Sequence, residues 1–231
     1  SHLKGDYSES VGTNIDTYTM RQALGVCAGV SPFNFPIMVP VWMMLPAIAC
    51  GNTFILKPSE QTPGATMRLV ELLTDAGLPD GVVSILNGDK DVVNSLLKDK
   101  RVKTMTAVAS TPVAEYIYQE SARQGKRSHT FGGAKNHCIV MPDANMKQAS
   151  AAITGASFGA AGERCMALSV AVVVGDETAD NLINYLQQEI KNIKVGPGSD
   201  LNNDMGPLIN KGHRQKVADY IQLGAASTAR L

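Results

Sequence analysis

Cys165 is the side chain whose surroundings best suit nucleophilic chemistry. It lies in the run A-G-E-R-C-M-A at 161–167, directly after a tract of small residues at 155–162. A nucleophilic cysteine needs thiolate character, access and usually a nearby positive charge, which Arg164 supplies. That cation either lowers the pKa of the thiol or holds an anionic group of a substrate. On local chemistry alone, a buried structural cysteine is the alternative.

The other three cysteines, Cys27, Cys50 and Cys138, are predicted to be structural. Each lies within or beside a strongly apolar run, which favours burial. The cysteines are far apart and form no C-x-x-C pair, so their spacing indicates neither a zinc site nor a small disulfide scaffold. We expect no metal site, and free thiols fit a reducing compartment.

The composition argues against several classes of partner. Of 231 residues 44% are apolar, and 21 acidic side chains balance 21 basic ones. This balance offers no electrostatic surface for nucleic acid or an anionic membrane. The most apolar stretch, 37–50, contains two prolines and is shorter than the roughly 20 residues of a membrane-spanning helix, so we predict a buried helix. Residues 1–4 show neither a secretory signal nor an Arg-rich transit peptide.

Short apolar strands alternate with helices along the first half of the chain. The predicted strands are 17–20, 26–30, 53–57, 82–86 and 102–108, and the predicted helices are 37–49, 64–76, 89–98 and 113–124. This alternation predicts an α/β fold with a doubly wound parallel sheet, whose strands are apolar because helices cover both faces. Ligands of such sheets bind outside the carboxyl ends of the strands. Lys57, Glu60 and Ser110 fall at these ends.

A polar stretch at 123–130 interrupts this pattern. We place a domain boundary near Phe131, which divides the sequence into residues 1–130 and 131–231. Cys165 belongs to the second part. The predicted strands there are 137–141 and 169–174, and the predicted helices are 147–160, 180–190 and 211–222.

Two sequence blocks resemble the aldehyde dehydrogenase superfamily. They are S-P-F-N-F-P at 31–36 and G-N-T-F-I-L-K-P-S-E at 51–60, and G-E-R-C-M-A follows at 162–167. Within the superfamily, the chain resembles the methylmalonate-semialdehyde dehydrogenase branch. The features that carry this finer resemblance are S-T-P-V-A-E-Y-I-Y at 110–118, G-A-K-N-H at 133–137 and the triplet Arg164-Cys165-Met166.

The resemblance implies a fold and a reaction. Residues 1–130 would form a Rossmann-like NAD domain without its N-terminal part, and 131–231 would form part of an α/β catalytic domain. Cys165 would attack an aldehyde carbonyl and, after hydride transfer to NAD, hold the acyl group as a thioester. Coenzyme A would accept that group, and malonate or methylmalonate semialdehyde would lose CO2 to give acetyl-CoA or propionyl-CoA. Asn34 and the backbone N–H of Cys165 would hold the oxyanion, and Arg164 would bind the substrate carboxylate.

The resemblance also assigns cofactor contacts. Lys57 and Glu60 would bind the adenosine ribose, and a carboxylate there favours NAD over NADP because it repels a 2′-phosphate. Ser110 would meet the pyrophosphate at a helix N-terminus. The remaining assignments are Ser31 and Phe33 on the nicotinamide side and Gln61 beside the ribose contacts. From the residues alone, the alternatives are an exposed Lys/Glu pair on a turn, an N-cap serine and, for Asn34, a turn-capping asparagine.

The sequence departs from the family pattern at two places. The family has Phe-x-Gly where this chain has Ala107-Val108-Ala109, so a methyl group lies where the pyrophosphate would approach the backbone. Phe131 stands where hydrolytic relatives carry a water-activating glutamate, which suits a thiol acceptor. Family members are also much longer than this chain. The segment 15–21 resembles one strand of their bridging hairpin and would lack its partner.

Two further hypotheses compete with the enzyme. One is a truncated, catalytically inactive module that binds nucleotide or another subunit. The other is a Cys-dependent hydrolase, although the histidines His2, His129, His137 and His213 lie in unrelated settings. The resemblance implies a small-molecule semialdehyde, a homo-oligomer (dimer or tetramer) of the full-length protein, and neither a nucleic-acid nor a membrane partner. It implies a cytoplasmic location in a bacterium, or the mitochondrial matrix in a eukaryote.

Overall fold

The computed structural model describes residues 3–227. They form two compact units, of which the first ends at Gly132 and the second begins at Gly133. His2, the first two of residues 1–4, and the last four residues of the predicted domain 131–231 lie outside the described residues.

An exposed β-hairpin opens the first unit. Strand β1 (Tyr7–Gly12) pairs antiparallel with β2 (Ile15–Tyr18), and every residue of both strands is exposed. The expectation that this segment lacks a strand partner is therefore wrong. Sequence reasoning missed β1 because Y-S-E-S-V-G contains no apolar run.

Five parallel strands form the central sheet of the first unit, which confirms the predicted fold class. They are β3 (Val26–Val30), β4 (Thr53–Lys57), β5 (Val83–Ile85), β6 (Val102–Val108) and β7 (Arg127–Phe131). The order across the sheet is β5-β4-β3-β6-β7. The chain therefore winds from β3 to one edge, returns, and winds to the other edge, which creates a switch point between β3 and β6.

Helices cover both faces of this sheet. They are α1 (Met38–Ala49), α2 (Pro63–Asp75), α3 (Lys90–Lys98) and α4 (Thr111–Arg123). Successive side chains of β3 point to opposite faces. Cys27 enters a core with Met44 of α1, whereas Ala28 enters a second core with Leu97 of α3 and Ile117 of α4.

Helix α3 shows how the local sequence places a core element. The Asp89 carboxylate caps the helix and accepts from the Asp91 N–H at 3.0 Å. Leu96 and Leu97 are buried on the sheet side. At the other end, Lys126 Nζ donates to the Leu96 carbonyl at 3.0 Å, and burial lowers the pKa of this ammonium.

The stretch 123–130 does not interrupt the sheet as predicted. Residues Arg127–Phe131 form its last strand and pair in parallel with β6. The sequence conceals this strand because its half-buried positions are Ser128 and Thr130, which give no apolar alternation.

The second unit contains a two-stranded parallel sheet. Its elements are β8 (Asn136–Val140), α5 (Met146–Phe158), a 3-10 turn (Gly159–Gly162), β9 (Leu168–Val173), α6 (Asp176–Lys191) and α7 (Lys211–Ala225). Its core joins Val140 of β8, Ile153 of α5 and Leu182 of α6. Among the helices of residues 3–227, none is both long and apolar enough to cross a membrane.

The packing of α3 predicts a large stability effect at Leu97. This side chain is 0% exposed, whereas Leu201 is 97% exposed. We expect Leu97→Ala to lower the free energy of unfolding by about 2–5 kcal/mol because it leaves a cavity. Urea denaturation measures this loss, and Leu201→Ala is the matched control. Similar losses for both variants would contradict the core assignment.

Candidate active site

The switch point of the first unit gathers the ends of three strands. Val30, the last residue of β3, pairs with Lys57 on one side and with Ala107 on the other. Ser31 follows, and its N–H donates to the Lys57 carbonyl at 3.1 Å. The Ser31 hydroxyl oxygen is buried and has no hydrogen-bond partner within residues 3–227. This edge of the sheet therefore carries a polar group that a ligand can satisfy.

Lys57 and Glu60 form a partly buried ion pair at the end of β4. Lys57 Nζ donates to Glu60 Oε2 at 3.1 Å and to the Gly88 carbonyl at 2.8 Å. The Lys57 side chain is 5% exposed and that of Glu60 is 56% exposed, so the alternative of a fully exposed pair is wrong for Lys57. A hydrogen bond from its own backbone N–H, and then Lys57, lower the pKa of Glu60. Gln61 follows, with its N–H donating to Ser59 Oγ at 3.3 Å.

Helix α4 begins at the switch point. Ser110 is its N-cap residue, yet the Ser110 side chain makes no capping hydrogen bond and is exposed. Ala109 just before it donates its N–H to the Phe131 carbonyl at 3.0 Å. Pro112 in the first turn has no N–H, and the Ala114 N–H donates to the Ser110 carbonyl at 2.9 Å, so an anion-binding role for this helix N-terminus stays a prediction.

The loop between β3 and α1 carries Phe33 and Asn34. Thr62 Oγ1 donates to the Phe33 carbonyl at 3.4 Å, and Thr66 Oγ1 donates to the Pro36 carbonyl. Both threonines belong to the start of α2, so this helix fixes the loop from one side. Phe33 and Asn34 are half-buried.

An aromatic pair lies at the end of β7. The Phe131 ring packs at a centroid distance of 5.2 Å from the Trp42 ring of α1, tilted by 49°. Phe131 is the position at which the resemblance expects a glutamate in water-using relatives. This chain offers an apolar ring there and no carboxylate.

A strained turn precedes Cys165 in the second unit. Ala160 and Ala161 in the 3-10 turn both have φ of 53°, and Gly162 follows with φ of 73°. Left-handed backbone costs a residue with a Cβ roughly 1–2 kcal/mol, so the surroundings must hold this conformation. Such strain clusters at functional sites.

Glu163 anchors the end of this turn. Its Oε1 accepts from the Ile209 N–H at 3.2 Å and lies 3.4 Å from His213 Nε2. The Glu163 side chain is only 11% exposed. Sequence reasoning set His213 aside as unrelated to the cysteine, because nothing local shows that α7 returns to this turn.

Asn136 fixes the other side of the cysteine loop. Its Nδ2 donates to the Cys165 carbonyl at 3.0 Å and to the Ala167 carbonyl at 2.9 Å. Sequence reasoning quoted Asn136 only as part of G-A-K-N-H. The sequence feature that could have identified Asn136 is an amide side chain at the first position of a strand.

The side chains of Arg164 and Cys165 both reach solvent. Cys165 and Arg164 are exposed, and Arg164 forms no ion pair with a carboxylate of residues 3–227. A Cβ on Gly159 would lie 2.6 Å from Arg164 Nη1, so the absence of a side chain there lets the guanidinium lie over the turn. The alternative of a buried structural Cys165 is excluded.

The other cysteines differ from one another. Cys27 is buried, and burial, followed by nearby Cys50, raises the pKa of its thiol. Cys138 is half-buried. The prediction that Cys50 is buried was wrong, because it is the C-cap residue at the solvent end of α1. Among residues 3–227, no cluster of His, Cys, Asp or Glu has the arrangement to hold a metal ion.

The candidate residues thus fall into two groups. One group lies at the carboxyl edge of the sheet in the first unit, and the other lies in the cysteine loop of the second unit and at the start of β8, which contacts that loop. The first comprises Ser31, Phe33, Asn34, Lys57, Glu60, Gln61 and Ser110, and the second comprises Arg164, Cys165, Asn136 and Glu163.

This fold and these motifs belong to a known family. The aldehyde dehydrogenase family model matches residues 1–231, and the chain belongs to that family. The chain is 53% identical over 229 residues to a malonate-semialdehyde dehydrogenase of Pseudomonas aeruginosa, covering 99% of this chain and 46% of the relative.

Two solved structures are similar in both sequence and shape. One, from Sinorhizobium meliloti, is assigned as a methylmalonate-semialdehyde dehydrogenase in complex with NAD; it is 48% identical with a TM-score of 0.95, over 99% of this chain and 47% of the other. The second is a methylmalonate-semialdehyde dehydrogenase of Oceanimonas doudoroffii, 53% identical with a TM-score of 0.94, over 97% and 46%. The chain therefore spans about half the length of the relatives it matches.

The Glu163 anchor predicts a stability effect in the second unit. We expect Glu163→Ala to lower the free energy of unfolding by about 1–3 kcal/mol, because the Ile209 N–H loses its acceptor. Urea denaturation measures the change. The control is Glu71→Ala, which breaks an exposed pair with Arg68 at 2.9 Å and should cost less than about 1 kcal/mol. A smaller loss for Glu163→Ala than for the control would show that the anchor contributes nothing.

Proposed function

We propose that this chain is the cofactor-binding and nucleophile-bearing part of an NAD-dependent, CoA-acylating dehydrogenase of malonate or methylmalonate semialdehyde. The observation that carries the proposal is the exposed Cys165 thiol, beside Arg164 and directly after a strained, anchored turn. The names of the relatives support the same reaction. The activity is proposed for a full-length protein, in which 1–130 form the NAD-binding part and 131–231 part of the catalytic domain.

The nucleophile is assigned to Cys165. Its sulfur bonds to the aldehyde carbon to give a thiohemiacetal, while the Asn34 side chain and the Cys165 N–H stabilise the oxyanion. One such donor contributes about 3–4 kcal/mol to the lowering of the barrier. When bound, NAD accepts the hydride that leaves this carbon. The acyl group then remains on Cys165 as a thioester.

The switch point fits the cofactor. Lys57 uses two of its three N–H donors within residues 3–227, so one remains for a ribose hydroxyl, and the exposed Glu60 carboxylate accepts from another. Gln61 lies next to this contact, and Ser110 at the start of α4 suits the pyrophosphate. Ser31 and Phe33 flank the nicotinamide in the proposal. Ala109 is the one feature that opposes binding, through its methyl group.

Coenzyme A is the proposed acyl acceptor. Phe131 packs on Trp42 and offers no carboxylate to activate water. The coenzyme A thiol therefore attacks the thioester carbon, and the Cys165 sulfur leaves. A β-carboxylated acyl group loses CO2 and takes up a proton from solvent at the carbon that carried the carboxylate, which gives acetyl-CoA or propionyl-CoA.

The oligomeric state and the cellular location of the full-length protein are part of the same proposal. Exposed apolar residues on the β1–β2 hairpin, Tyr7, Val11, Ile15 and Tyr18, support a homo-oligomer of the full-length protein. Its dimeric or tetrameric state, and a location in a bacterial cytoplasm or the mitochondrial matrix of a eukaryote, remain predictions.

NADH formation tests the reaction. The chain is joined to those segments of the Pseudomonas aeruginosa relative that it does not match, and the product is assayed with malonate semialdehyde, NAD and coenzyme A. We expect NADH and acetyl-CoA, and a loss of at least about 10³-fold in kcat for Cys165→Ala. Cys50→Ala, which removes another exposed thiol, should retain activity. NAD binding without NADH formation would instead support the inactive nucleotide-binding module.

Arg164→Leu tests the substrate assignment. Because the guanidinium pairs with the substrate carboxylate in the proposal, its loss should raise the KM for malonate semialdehyde about 10- to 100-fold. The KM for propanal, which has no carboxylate, should change little. Arg123→Leu, at an exposed pair on α4, is the control. Equal effects of Arg164→Leu on both aldehydes would exclude the carboxylate role.

A further inference from the structure

Asn136 contacts the backbone of the nucleophile directly. A single atom, Nδ2, donates to the carbonyls of Cys165 and Ala167 at 3.0 and 2.9 Å. Between these residues the chain turns, because the Ala167 N–H donates to the Arg164 carbonyl at 3.0 Å. The amide therefore holds the inside of the turn that carries Cys165.

An irregularity of the sheet aims this side chain. Asn136 pairs with Leu168 and His137 with Val170, so the register between β8 and β9 shifts between the first two residues of β8. Such bulges re-aim a side chain and occur beside active sites. Here the shift lies where the cysteine loop enters β9.

The strained backbone before Cys165 makes the hydrogen bonds from Asn136 important. Ala160, Ala161 and Gly162 are left-handed in succession, and Glu163 ties them to the start of α7. The Glu163 anchor precedes the cysteine in the chain, whereas Asn136 forms a hydrogen bond to the backbone of Cys165 itself. Since the C=O and N–H of one peptide unit point in opposite directions, fixing the Cys165 carbonyl also fixes the direction of the Met166 N–H.

We infer that Asn136 is a positioning residue for the Cys165 nucleophile. This inference rests on the proposed function. An asparagine amide has two N–H donors, one for each carbonyl, whereas an ionised aspartate only accepts and a leucine does neither. Without this donor the Cys165 carbonyl is free to turn its negative end toward the sulfur, which disfavours the thiolate. Thiol reactivity then falls, because the thiolate is the nucleophile.

Alkylation of the 231-residue chain tests the inference without an activity assay. The rate of Cys165 labelling by iodoacetamide is followed by mass spectrometry from pH 6 to pH 10, a range of about two units around the ordinary cysteine pKa. We expect Asn136→Leu to move the midpoint upward by about one unit and to slow labelling about tenfold at pH 7. The matched control is Asn192→Leu, because Asn192 Nδ2 donates to the Gln188 carbonyl at 3.0 Å in the same unit.

The thermal midpoints and the labelling profiles together distinguish an effect on the reactivity of Cys165 from an effect on folding. A thermal midpoint lowered equally in both variants, with the shifted profile in Asn136→Leu alone, supports the inference. Coincident profiles of wild type and both leucine variants overturn it. If Asn136→Leu does not fold, Asn136→Ser replaces it, because a serine hydroxyl has one donor and cannot serve both carbonyls; an unshifted profile in that variant also overturns the inference.

The wild-type chain keeps this test distinct from that of the function. If Cys165 is labelled no faster than Cys50, the nucleophile assignment itself fails, whatever Asn136 does. If Cys165 is the faster thiol and both leucine variants match it, only the positioning role of Asn136 fails.

Discussion

Parallel pairing of β3 with both β4 and β6 is the constraint on which the first unit depends. All three strands run in one direction, so the loops that leave them share one edge of the sheet. Ser31, Lys57 and Ser110 are distant in sequence and meet only for this reason. A slip of one residue would move Lys57 by roughly 3.3 Å and turn its side chain to the other face. The two apolar cores prevent that slip, because each strand would then present its wrong face to a helix.

The cysteine loop of the second unit follows a different principle. It is irregular backbone, and the left-handed Ala160 and Ala161 make its conformation costly. Two polar side chains hold it in place: Glu163 reaches the start of α7, and Asn136 reaches inward from β8. The Glu163 and Asn136 side chains are both partly or largely shielded from water. A hydrogen bond lost at such a position is hard to replace with one to water. The Cys165 thiol stays exposed while the backbone beneath it is fixed, which is the arrangement that the proposed nucleophile requires.

Two positions carry the finer part of the proposed function. Arg164 is exposed, forms no ion pair with a carboxylate of residues 3–227, and would bind the carboxylate of the aldehyde in the proposal. Phe131 packs on Trp42 at the position where the resemblance expects a glutamate in water-using relatives. The chain spans about half the length of the relatives it matches, so the activity is proposed for a full-length protein.

Sequence alone determined the class of fold and the family. Strands β3, β4 and β6 lie at their predicted residues because each is rich in apolar and β-branched residues, which a local pattern reveals. The motif around Cys165 likewise indicated the nucleophile. Local patterns failed where burial was partial or polar: β1 and β7 carry no apolar run, and Cys50 follows an apolar helix yet faces solvent at its end.

Only the tertiary structure showed what holds the cysteine. Ile209 lies 46 residues from Glu163, and Asn136 lies 29 residues from Cys165. No spacing or periodicity links such pairs, because their meeting depends on how α7 and β8 pack within the second unit. The sequence did not predict the burial of Lys57 for the same reason. The second acceptor of its ammonium group, the Gly88 carbonyl, lies 31 residues away in the chain. The sequence predicts Cys165 as the nucleophile, and the folded chain decided how the backbone of this residue is held.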